Sequence, residues 1–408
     1  MNLWLGEVAA AMRVLKRIWP FLLAQVFTSA GVGLNLTVAA LAAAAVTGND
    51  SLGGLAQTST IIGATLITAL STALTRARRR LVALRCSLGL AVIGSLLCGL
   101  AVSASDALQW TLFVGLFLLG GGTVSALLSR FAAADKVTDP AHASTAISAV
   151  LFGSAIGSAV GPQAYGWIMR LTDSPMPLVF LCSAAIFALG LIPLLREKTS
   201  APADSPYRGG AGKAPLRWRP AYTSIFLIGV FSHATMVSLM AMAPLHTDKE
   251  FGPSGTSLIM TAHLLGMYAL GPVVSVAIRK LGFPVVLCAG ATVFGASYLA
   301  LIFAPGSLPV FVAGLFGVGF GWSIGMISAS TLAATIADSH HRITLQGRLD
   351  MSINIAAGLS SIVSGIAVAQ WGYSALAASN ALLLLGVLGT AAVLWRKRHL
   401  SKPYFAPF

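Results

Sequence analysis

Charge is scarce in this chain. Only 9% of its 408 residues are Asp, Glu, Lys or Arg, and twelve of those are acids. Soluble domains carry roughly a quarter charged residues, so a soluble globular protein is excluded. Cysteine is scarce too: Cys86, Cys98, Cys182 and Cys288 show no CxxC spacing, and none falls in a loop read below as external. That excludes a disulfide framework. No phosphate-binding glycine loop, no triad spacing and no soluble stretch able to house an active site is present, which argues against an enzyme. The acids all fall in loops or at helix ends, so no mid-span carboxylate offers a site for a hard divalent cation or a buried proton carrier. The apolar patch before Arg13 is too short for a cleaved signal peptide.

What the chain has instead is hydrocarbon. It is 56% hydrophobic with a mean hydropathy of +0.84, in about a dozen runs long enough to cross a bilayer core of about 30 Å. Spans are expected at 18–46, 52–74, 81–103, 108–131, 143–170 and 176–195, then 220–245, 255–278, 283–303, 309–335, 347–371 and 374–395. The backbone inside lipid must satisfy itself, so these should be helices. The expectation is an all-α membrane protein of twelve transmembrane helices: a six-helix bundle over 1–195, a Pro/Gly/Ser-rich basic linker over 196–219, and a second six-helix bundle over 220–408.

The net charge of +14 does not point to nucleic acid. With the loops placed in alternation, 24 of the 26 Lys and Arg residues share one side, leaving only Arg170 and Lys249 opposite. Asp50, Asp106, Asp173, Asp248 and Glu250 lie on that opposite side. The bias follows the positive-inside rule and predicts both termini in the cytoplasm, with membrane lipid as a partner.

The halves repeat. STALTRARRRL begins at Ser71 after the second span and SVAIRKLGF at Ser275 after the eighth, an offset that brings Arg76 onto Lys280. Two six-helix halves and these loops resemble the major facilitator superfamily, whose loop signature reads Gly-x-x-x-Asp-Arg-x-Gly-Arg-Arg. Arg76, Arg79 and Arg80 match it, whereas Ser71 and Thr75 stand where the glycine and aspartate would be. The resemblance implies a substrate site near the midplane between the halves. GSAIGSAVGPQAYG in the fifth span, with Gly153, Gly157, Gly161 and Pro162, resembles that superfamily's fifth-helix motif. Small residues every fourth position read first as a helix-packing seam and second as a gating element.

Polar and sulfur-bearing side chains at lipid depth point to function. The first half offers Gln25, Ser29 and Asn35, then Thr58 and Ser59; at the repeat offset Ser29 falls on His233 and Ser59 on His263. Hydroxyls in one half thus stand where the other has imidazoles. Met236 and Met240 stack on one helix face, as do His263 and Met267 on the next. Met is most often packing, and a lone buried His can serve a structural hydrogen bond. Together, however, thioether and imidazole form a ligand set that suits Cu(I). Counting from the outer helix ends sets Met240 and His263 within about 5 Å in depth, with Met236 between His263 and Met267. His233, one turn further in, is a candidate relay ligand, and Met242 and His246, near the outer mouth, are candidate capture ligands; a packing Met and a solvated loop His are the plainer readings. Asp350, after Arg348 at the inner start of the eleventh span, is a candidate for gating or coupling, with a helix-end ion pair as its plainer role.

Met236-Val-Ser-Leu-Met240 and His263-Leu-Leu-Gly-Met267 resemble the paired motifs of the CcoA-like copper importers of the major facilitator superfamily. That resemblance implies inward copper movement by alternating access across a bacterial inner membrane, supply of copper for cbb3-type cytochrome c oxidase assembly, copper chaperones as partners, and a monomer. Two alternatives stay open. One is a carrier of small organic cargo, such as riboflavin or drugs; the other is a protein that binds copper without moving it.

Overall fold

Leucine, alanine and valine fill most of this chain, and with no water to bond the backbone such stretches close their own hydrogen bonds as helices. The computed structural model describes residues 2–76, 80–104, 109–137, 140–172, 175–197, 220–336 and 342–396. The basic linker from residue 198 onward therefore lies outside the described residues. Those described hold eleven α-helices and one 3-10 turn, and no strand. The helices are α1 (Asn2–Thr47), α2 (Gly53–Arg76), α3 (Arg80–Ser103), α4 (Gln109–Ala134), α5 (Pro140–Ile168), α6 (Pro175–Leu195), α7 (Pro220–Tyr268), α8 (Gly271–Leu281), α9 (Phe283–Phe303), α10 (Leu308–Ile336) and α11 (Arg342–Arg396).

Nine described stretches are long and apolar enough to cross a membrane. Two of them, Tyr222–Leu281 with 60 residues and Gly347–Val393 with 47, are long enough to cross twice. Each breaks at one glycine with positive φ, Gly252 (φ 65°) and Gly372 (φ 80°), a backbone state that a Cβ would strain. Counting both as two passes and adding the 29-residue α5 makes twelve, the expected number. The outer part of α1 lies where the first span was expected, but the helix also runs back to Asn2.

The contacts sort the chain into two compact units, 1–49 with 59–205, and 50–58 with 206–408. In the first unit α1 and α5 meet along the glycine stripe. A Cβ on Gly157 would sit 2.1 Å from the Val26 carbonyl oxygen, and one on Gly161 2.2 Å from that of Ala30. Those glycines are where two helix backbones touch. Pro162 lies buried within α5 beside them. Across the seam the Gln25 amide donates to Ser154 Oγ at 2.6 Å, and Asn35 donates to Ser183 Oγ on α6 at 2.8 Å. At the basic side Arg80 reaches Asp135, just past α4, at 2.6 Å, and Lys136 reaches Glu197 at 2.6 Å. The loop arginine thus has an acid partner even though Thr75 replaces the motif's own aspartate. The Arg76 side chain lies outside the described residues.

In the second unit the first turns of α2 pack on α11. Ser361 Oγ donates to the Gly54 carbonyl at 2.8 Å and Thr58 Oγ1 to that of Gly358 at 3.0 Å, with Lys249 paired to Asp50 nearby. Asn380 on α11 donates to Ser238 Oγ on α7 at 3.2 Å. The first unit thus ties α1 to α6 through an Asn–Ser bond and the second ties α11 to α7, the Asn lying on the earlier helix in one and on the later helix in the other. Asp350 is exposed near the start of α11, its carbonyl accepting from the Asn354 amide.

Candidate functional site

The site is built on the hairpin inside α7, an outgoing arm over 220–251 and a return arm over 253–268. Thr247 and Thr256, both fully buried, share a hydroxyl hydrogen bond of 3.0 Å across the turn at Gly252. That bond sets the register of two antiparallel helices. Counting inward from it, Met240 and His263 are each seven residues away, and Met236 and Met267 each eleven. At 1.5 Å per residue these depths are about 10 and 16 Å. Positions 236, 240, 243 and 247 on one arm and 267, 263, 260 and 256 on the other follow the 4-3-4 spacing of a single helix stripe. Each stripe begins at the threonine that meets its partner.

On this count Met240 pairs in depth with His263, and Met236 with Met267. The arms run closer to the turn than the hydropathy boundaries suggested, because Thr247, Asp248 and Lys249 are polar yet helical. All four side chains are withdrawn from the surface, with exposures of 2% for Met236, 4% for Met240, 0% for His263 and 6% for Met267. None of them faces the exterior of the unit, where acyl chains would lie.

His263 has one proton arrangement that fits its surroundings. Its Nδ1 lies 2.8 Å from the Leu315 carbonyl on α10, which can only accept, so Nδ1 carries the hydrogen. The lone pair is left on Nε2, which is buried without a hydrogen-bond partner. An imidazole oriented by an Nδ1–H bond to a carbonyl, with Nε2 free, is the usual arrangement of a metal-ligating histidine. Among the described residues no group of three or more His, Cys, Asp or Glu is placed to hold a metal.

α10 supplies parts that the sequence reading missed. A Cβ on Gly319 would lie 2.3 Å from the His263 carbonyl oxygen and 3.2 Å from Met267 Cγ, so only glycine lets α10 sit this close. One turn inward on α10, Trp322 donates its indole N–H to His233 Nδ1 at 2.6 Å, and its ring meets Tyr268 edge-on at 6.2 Å. The closely spaced Gly314, Gly317, Gly319 and Gly321 ahead of Trp322 were the available signal: glycines mark close helix approach, and a Trp in an apolar span needs a partner for its N–H.

The relay and capture candidates stand apart from the four. His233 has committed its Nδ1 lone pair to Trp322, which puts its hydrogen on Nε2 and leaves no free donor atom for a metal in this arrangement. Met242 is fully buried but projects from the side of the helix opposite the stripe. His246 is stacked on Tyr373 at 4.8 Å and tilted against Phe311 at 5.4 Å, its Nε2 buried without a partner.

The Major Facilitator Superfamily profile matches residues 225–404. Over 412 aligned residues the chain is 27% identical to the MFS-type transporter YddS of Bacillus subtilis, covering 95% of this chain and 92% of that one. It is 25% identical to the riboflavin transporter RfnT of Brucella anthropi over 58% of this chain and 60% of the relative. Among solved structures, the partially occluded inward-open xylose transporter XylE of E. coli superposes with a TM-score of 0.71 at 12% identity, covering 93% of this chain and 98% of that one. Fold, profile and relatives point the same way: the chain has the major facilitator superfamily fold, its residues 225–404 match that superfamily's profile, and the relative it matches over most of its length is an MFS-type transporter.

Proposed function

We propose that the cargo is Cu(I), held by Met236, Met240, His263 and Met267 and carried inward by alternating access across a bacterial inner membrane. The observation that carries this reading is His263, with Nδ1–H on the Leu315 carbonyl and Nε2 buried and unpartnered, seven residues from the Thr247–Thr256 bond as Met240 is on the other arm. Thioethers and a neutral imidazole need lose no proton to bind, so the ion can be taken up and given back without protonation of its ligands. Copper supply to cbb3-type oxidase assembly and contact with copper chaperones follow from the motif resemblance and belong to the same proposal. The test is copper uptake into proteoliposomes. The parent should accumulate copper, and His263→Ala should reduce uptake at least about tenfold, as expected when a ligand is lost. A parent that moves no copper in either direction overturns the reading.

A second reading, a riboflavin-like organic cargo, is favoured by the similarity to RfnT. It expects a Met236→Leu/His263→Gln double variant to retain flux of the organic substrate.

A further inference from the structure

Trp322 has no part in the four-ligand site, yet its partners His233 and Tyr268 lie close in sequence to the candidate ligands. Trp322 and Gly319 are three apart on α10 and so share a face. Gly319 is the residue lying on the Met267 side chain. The two groups that Trp322 meets also flank the ligands. His233, its hydrogen-bond partner, is three residues inward of Met236, and Tyr268, its edge-on neighbour, directly follows Met267. The indole thus links α7 and α10 and touches the return arm at Tyr268, about one turn inward of Met236 and Met267. His233 restrains it: the Nε1–H to Nδ1 bond takes up the only polar atom of the indole and leaves its π face as what the ring offers.

We propose that Trp322 is a fifth element of the metal site, presenting its indole face to the monovalent cation, with His233 as the positioning residue that holds the ring. This rests on the Cu(I) reading above. The chemistry is a cation–π contact, for which indole is the best side chain and which strengthens in a desolvated site. Neutral thioethers and imidazole leave the ion's single positive charge uncompensated, and an electron-rich ring eases that without adding a formal charge that would have to cross with it. The same contact favours a soft monovalent cation over a divalent one with a tightly held water shell.

The full-length protein in detergent is titrated with Ag(I), a redox-inert soft monovalent probe, and with Cu(I) in competition with a colorimetric chelator, while tryptophan fluorescence is followed. The parent should bind and lose part of its emission. Trp322→Phe should still bind, roughly 3- to 30-fold more weakly, and lose the metal-dependent quenching. His233→Ala should reduce that quenching, and His233→Asn, which keeps an acceptor, should restore part of it. If Trp322→Phe binds with parental affinity and shows parental quenching, the inference is overturned while the Cu(I) site stands. If the parent fails to bind, or His263→Ala binds like the parent, the Cu(I) reading itself fails.

Discussion

Two histidines in one bundle carry opposite tautomers, and single hydrogen bonds decide which. His263 gives Nδ1–H to a carbonyl and keeps Nε2 as a lone pair; His233 accepts an indole N–H at Nδ1 and keeps its hydrogen on Nε2. Only the first is ready to ligate. The methionines are testable separately from folding. Met236→Leu and Met240→Leu conserve volume and should cost under about 1.5 kcal/mol of stability, yet each should weaken copper binding about tenfold or more in a chelator competition, because a soft ligand is gone. Tyr373→Phe offers a control outside the site. It removes the hydroxyl bond to the Leu239 carbonyl at 3.0 Å, should cost roughly 1 kcal/mol in unfolding, and should leave metal binding unchanged.

Helices meet here wherever a side chain is missing. Gly319 seats α10 on the return arm at His263, and Gly157 and Gly161 seat α5 on α1. Gly319→Ala places a Cβ inside the His263 carbonyl's contact radius and must move α10, taking the Leu315 carbonyl away from Nδ1. Copper binding should fall while the protein still folds, read by competition binding beside a thermal melt. Gly157→Leu forces apart the α1–α5 backbones and should lower the melting temperature sharply, with no direct effect on the metal ligands. Much of this was legible beforehand. The Gly153/Gly157/Gly161 spacing marked a seam, and the four-residue spacings marked the Met and His faces. The two arms run past their expected ends at 245 and 255 because polarity was taken as the end of a helix, whereas Thr247 and Thr256 satisfy each other and let both arms continue.

Over the whole molecule, charge placement does what packing cannot. With the loops placed in alternation, nearly all Lys and Arg fall on one side, which predicts that side as cytoplasmic. A cysteine placed at Gly306, in the turn between α9 and α10, should be labelled by an impermeant thiol reagent added outside intact cells. One placed in the 198–219 linker should be labelled only after lysis. The reverse pattern would invert the orientation. The ion pairs Arg80–Asp135 and Lys136–Glu197 join helix ends on the basic side, with side chains partly exposed. Each should contribute no more than about 1 kcal/mol, less at high salt.

Composition and periodicity by themselves determined that this chain is helical, crosses a membrane about twelve times, repeats in two halves and carries a thioether–imidazole motif. Those properties depend on hydropathy and local spacing, which need no partner helix. The tertiary structure alone decided the tautomers of His233 and His263, the threonine bond across the turn from which the depths of the four residues are counted, and the place of Trp322. These rest on atoms far apart in sequence: the Leu315 carbonyl, a threonine pair across a turn, and an indole 89 residues from its histidine. Nothing local to either partner encodes such a contact, because it exists only once the helices have docked.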